Sequence, residues 1–80
     1  MNVGEAVKAR ILDLCSQHGL TINRLATISG VTQSTINNIT GGRNNSSTIS
    51  TIKKICDGLD ITIIDFFNHE LFENLEQEIK

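Results

Sequence analysis

The sequence predicts an all-α fold: a compact five-helix domain followed by a short C-terminal amphipathic helical extension. Three observations carry this expectation. Apolar residues recur at helical spacing, no stretch sustains the period-two pattern of a strand, and Asn, Ser or Thr stands where each helical stretch begins. The 80 residues, 8.8 kDa in all, read as one small domain and leave no room for a multi-domain enzyme. Three Phe and no Trp, Tyr or Pro imply a lean aliphatic core. A core of this size contributes roughly 3–5 kcal/mol unless something else reinforces it, and oligomerisation is one way to do so.

Each element has its own signal. Asn2 caps the first helix with Glu5 as its reciprocal partner, and Val3, Val7, Ile11, Leu14 and Cys15 form its core face. His18 suits the negative end of that helix, Gly19 can turn left-handed, and Leu20 packs back. Thr21 caps a second, two-turn helix through Ile22, Leu25, Ala26 and Ile28, which Gly30 ends. Thr32 caps a third with Ile36 and Ile39 inward, closed by the pair Gly41 and Gly42. Ser47 or Thr48 opens a fourth, with Ile49, Ile52, Ile55, Cys56 and Leu59 toward the core and an end near Gly58. Thr62 and Asp65 resemble a capping box for a fifth, with Ile61 and Phe66 as its hydrophobic staple. The Ile-Thr-Ile-Ile at 61–64 fits a helix start as well as a strand. Residues 1–69 are taken as the domain and 70–80 as an acidic amphipathic segment.

Net charge is −2, which at first argues against a polyanionic partner. Its distribution matters more: residues 1–69 carry +1, and the last eleven, with Glu70, Glu73, Glu76 and Glu78 against Lys80, carry −3. Cys15 and Cys56 are too few for a disulfide scaffold, and the N-terminal residues lack a signal-peptide pattern, so a cytoplasmic protein is expected. No apolar run approaches the roughly 20 residues a membrane span needs.

The informative spacing lies at Ala26, Gly30 and Ile36. A small residue permits close helix crossing, a residue without Cβ permits positive φ in a tight turn, and a buried Ile anchors the following helix. Between two Thr-capped amphipathic helices this is a helix-turn-helix signal. The segment TINRLATISGVTQSTINNITGGR, residues 21–43, with the ending ICDGLDITIIDFF, resembles the Cro/repressor-type (Xre-like, lambda-repressor-like) helix-turn-helix family over Val7 to Phe67. The resemblance implies a five-helix domain whose third helix enters the DNA major groove, usually as a dimer on a palindromic operator. Two departures from the family pattern stand out: Ile22 replaces the Gln usual at the start of the second helix, and the loop before the fourth lacks Pro.

The third helix agrees on its own terms. With Ile36 at 0°, Ile39 and Thr40 fall within about 60°, and Ser34, Asn37 and Asn38 lie away from that face. The outer face is uncharged and lined with amides and hydroxyls, where a plain solvated face would more often carry Lys and Glu. Gln33, Ser34, Thr35, Asn37 and Asn38 are the candidate base readers: amides match adenine, and the Thr35 methyl can meet thymine. Thr21, Asn23, Arg24, Thr32, Arg43 and Asn44 are the candidate DNA-backbone contacts, assisted by helix N-terminal N–H groups. Arg24 serves equally well as a surface ion-pair partner, and Lys53 and Lys54 read as a solvated face.

Other chemistry is poorly supported. Cys15 and His18 have the spacing of two metal ligands, but Cys15 falls on the core face and no second pair follows, so a buried thiol is expected and no metal or other cofactor. Asp13, Ser16 and His18 on one helix cannot supply a nucleophile, an oriented base and oxyanion donors, so no enzyme activity is expected. The leading expectation is a sequence-specific repressor that binds double-stranded DNA as a homodimer. The competing one is a protein-interaction module, such as an antitoxin or anti-regulator, that meets a regulatory protein partner through the acidic segment. Leu71, Phe72, Leu75 and Ile79 form an apolar stripe that either folds back on its own domain or pairs across a two-fold axis with Phe66 and Phe67. The dimer reading would set two reading helices one DNA turn apart, about 34–36 Å.

Overall fold

The computed structural model describes residues 1–41 and 47–79. It contains α1 (Val3–His18), α2 (Ile22–Ser29), α3 (Gln33–Thr40), α4 (Ile49–Leu59), α5 (Ile63–Phe67) and a 3-10 turn, Glu70–Phe72, and no strand occurs among the described residues. No helix among them is long and apolar enough to cross a membrane.

The helix starts follow the local chemistry. Asn2 and Glu5 exchange backbone-to-side-chain hydrogen bonds of 2.9 and 2.8 Å, a complete capping box. Thr62 and Asp65 repeat the device on α5. Thr21, Thr32 and Thr48 each accept the backbone N–H three residues on. The cap of α4 is thus the second of its two candidates.

Three helix ends share one geometry. Gly19, Gly30 and Asp60 are all left-handed (φ 64°, 66° and 58°), and in each case the next N–H reaches a carbonyl five residues back. α4 ends at Leu59, one residue past Gly58 and so near it as expected, and Asp60, a residue with a Cβ, takes the strained left-handed conformation. Gly41 closes α3 in the right-handed region, with its N–H on Asn37 O at 2.7 Å, and Gly42 lies outside the described residues.

One core joins α1 (Val7, Ile11, Leu14, Cys15), α2 (Leu25, Ala26), α3 (Ile36, Ile39), α4 (Ile52, Ile55, Cys56, Leu59) and Phe66 of α5. Ile49 does not join it. It opens α4 and remains 65% exposed, ahead of Ile52, the first position of that helix to reach the core. Gly58 accounts for the close crossing of α4 on α2, because a Cβ there would lie 2.6 Å from Ser29 Oγ and 3.0 Å from both Ile28 O and Ser29 Cα.

Arg10 is buried on the apolar face of α1. Its Nε donates to Phe66 O at 2.8 Å, Nη2 to Asp65 O at 2.9 Å and Nη1 to Asp13 at 3.1 Å. The guanidinium thereby satisfies carbonyls at the C-terminal, negative end of α5, a helix too short to persist alone.

The C-terminal segment folds back on its own domain. Its helical part is the single 3-10 turn, capped by His69, whose Nδ1 accepts Leu71 N–H at 3.1 Å; residues 73–79 continue without helix. Phe72 meets Phe67 edge to face at 4.8 Å, and Phe67 meets Phe66 at 4.9 Å. Glu76 N–H donates to Met1 O at 3.1 Å, and its carboxylate lies 3.6 Å from the terminal ammonium. An eleven-residue helix bearing Glu70, Glu73 and Glu76 at successive turns would be marginal and self-repelling, so docking of Phe72 decides the path.

Candidate nucleic-acid interface

The candidate surface is built by α2, the turn Gly30–Val31–Thr32, and α3. Ala26 and Leu25 hold α2 in the core, and Ile36 and Ile39 hold α3, so the turn joins two anchored helices. At Gly30 a Cβ would meet nothing within 4 Å; what the position requires is positive φ, not space.

Thr21 Oγ1 accepts Arg24 N–H at 3.1 Å, and Thr32 Oγ1 accepts Thr35 N–H at 3.2 Å. Their carbonyls take Leu25 N–H and Ile36 N–H. Helix geometry then leaves the N–H groups of Ile22 and Asn23, and of Gln33 and Ser34, without intrahelical acceptors. Two pairs of backbone donors at two positive helix ends suit phosphate oxygens.

Gln33, Ser34, Asn37 and Asn38 are exposed, as are Thr21, Asn23, Arg24 and Thr32. Thr35 is half-buried, and its hydroxyl is hydrogen-bonded to Thr32 Oγ1 at 2.9 Å. Arg43 and Asn44 lie outside the described residues. Phe66 is fully buried in the protomer's own core, Phe67, Leu71, Phe72 and Leu75 are half-buried, and Ile79 is 88% exposed.

Electrostatically the surface is sparse. Arg24 is the cation of α2, and α3 carries no charge. Lys53 pairs with Asp57 on the exposed face of α4. Arg10, counted with the positive charges by sequence, is enclosed and faces no solvent-borne partner. Its burial had a signal: Val7, Arg10 and Leu14 fall on one helical stripe. Gly58 and Asp60 had none, since each acts through a tertiary contact or a strained backbone.

Cys15 and Cys56 are free and buried, and burial is the main influence pushing both thiols up, which keeps them protonated and unreactive. His18 is exposed at the end of α1, and no group of three or more metal-ligating side chains occurs among the described residues.

Two anchored helices, a left-handed turn between them and an exposed polar second helix define a helix-turn-helix DNA-binding domain. The chain belongs to the Cro/C1-type helix-turn-helix DNA-binding family, whose model matches residues 10–71. It is also similar to prophage Lp1 protein 11, known from a crystal structure. That protein is 41% identical, and the match covers 94% of this chain and 100% of that one with a TM-score of 0.81. No curated protein matches.

Proposed function

We propose that this DNA-binding domain is a sequence-specific transcriptional repressor that acts as a homodimer on a palindromic operator in the cytoplasm, without enzymatic activity or cofactor. The observation that carries this reading is the exposed, uncharged amide and hydroxyl face of α3, presented by a capped turn. Gln33, Ser34, Asn37 and Asn38, with the Thr35 methyl, read base edges in the major groove. Thr21, Asn23, Arg24 and Thr32, joined by Arg43 and Asn44, hold phosphates. Occupancy of the groove excludes polymerase from an overlapping promoter.

The two-fold contact is assigned to what the folded-back segment leaves uncovered, Ile79 and the outer edges of the half-buried Phe67, Leu71, Phe72 and Leu75, whereas Phe66 is enclosed in its own core. Ile64 on α5 is a further exposed apolar side chain, at 78%. Selection of bound fragments from randomised duplex DNA by the full chain tests the reading, followed by sedimentation alone and with the selected site. An enriched two-fold-symmetric sequence bound by two protomers is expected. No enriched sequence, together with a co-purifying protein, would instead favour the protein-interaction module and its acidic Glu70, Glu73, Glu76 and Glu78.

A further inference from the structure

We infer that the base pairs read by α3 are A·T pairs, so that the operator half-site is A·T-rich where this helix lies; the inference rests on α3 being the groove helix. The side-chain chemistry of the exposed face supports it. Guanine shows the major groove two acceptors, met most often by Arg or Lys, and cytosine shows a donor, met best by a carboxylate. Between Gln33 and Thr40 there is no Arg, Lys, Asp or Glu. What the helix exposes is Gln33, Asn37 and Asn38, three amides that each pair one acceptor with one donor group. Adenine shows the complementary pair, N7 and N6–H2, to the same groove.

Gln33, Asn37 and Asn38 are all exposed. The Thr35 hydroxyl is hydrogen-bonded to Thr32 Oγ1, and its methyl can meet a thymine C5-methyl. Ser34 can serve any base and adds no preference. The helix has eight residues, about 12 Å long, and can address about four successive pairs. Arg24 and Arg43 stand outside α3, so guanine elsewhere in the operator is compatible with the inference.

The test uses the full chain and its selected site. The α3-facing pairs are those whose base preference changes in Gln33→Ala, Asn37→Ala or Asn38→Ala; these pairs are expected to be A·T. Replacing a contacted adenine by 7-deazaadenine, which removes N7 and keeps Watson–Crick pairing, should weaken binding by about tenfold to a hundredfold. The same analogue should cost the matching alanine variant little more. Two results overturn the inference while leaving α3 as the reader: G·C pairs at positions whose preference the variants change, or full affinity for every 7-deazaadenine site. If no sequence is enriched, or if the three variants alter no base preference, the groove reading itself fails and the inference with it.

Discussion

Gly58→Ala isolates the contact on which the placement of the helix-turn-helix depends. In an open helix the change would stabilise by about 0.5–1 kcal/mol, because Ala loses less backbone freedom than Gly. Here the new methyl would lie 2.6 Å from Ser29 Oγ and 3.0 Å from Ile28 O and Ser29 Cα. The last two are backbone atoms of α2 or bonded to it, so no side-chain rotation relieves them and α2 must move away from α4. Overpacking of this kind costs typically about 1–3 kcal/mol, and two backbone contacts place it in the upper half of that range. The net expectation is a loss of about 1–2 kcal/mol, or roughly 5–15 °C in melting temperature for a domain of this size. Ser29 Oγ is itself buried, with no hydrogen-bond partner among the described residues. Ser29→Ala should therefore be neutral or stabilising, and in that background Gly58→Ala should cost less by at least about 0.5 kcal/mol, as a double-mutant cycle would show. Thermal and urea melts followed by circular dichroism are the assay. A Gly58→Ala protein that melts at or above the parent temperature would refute the close crossing.

Gly30→Val should destabilise by at least about 1–2 kcal/mol, since a β-branched residue is penalised at positive φ even with empty space around it; an unchanged melt would mean that the turn is not left-handed. Asp60→Gly should raise stability by up to about 1 kcal/mol by relieving the same strain, and a lower melting temperature would contradict the φ of 58°. Arg10→Lys should cost about 3 kcal/mol by chemical denaturation, because a single ammonium cannot serve both α5 carbonyls as the guanidinium fork does. Arg43→Ala should weaken binding to all DNA sequences alike and lower the salt slope by about one unit, whereas a loss confined to the selected operator would make Arg43 a base reader.

Much of the fold was legible because it is written locally. The Asn2–Glu5 and Thr62–Asp65 boxes, the Thr caps and the stops at Gly19 and Gly30 each need only a few adjacent residues. The core faces followed from spacing, with Ile49 as the exception because periodicity does not say where along its length a helix meets its neighbour. What escaped depends on distant partners. Gly58 marks the end of α4 to within a residue, but nothing local says that α2 lies against it or that Asp60 takes the left-handed position. The C-terminal stripe reads as helix until Phe72 finds Phe67. At the interface, the uncharged outer face of α3 was fully legible; that the Thr35 hydroxyl is already engaged was not.

The clamp of Arg10 on α5 also orders the assembly of the chain. Arg10 lies near the start of α1, and the carbonyls it serves are 55 and 56 residues further on. Every residue from α2 to α4 must therefore be made before the guanidinium can find its acceptors. Until then α1 carries a cation in the stripe that should face the core, and the five residues of α5 are too few to hold a helix. Closing so long a loop delays the contact until the rest is compact. A chain cut short before Asp65 leaves the Arg10 guanidinium with Asp13 alone and its two backbone acceptors missing.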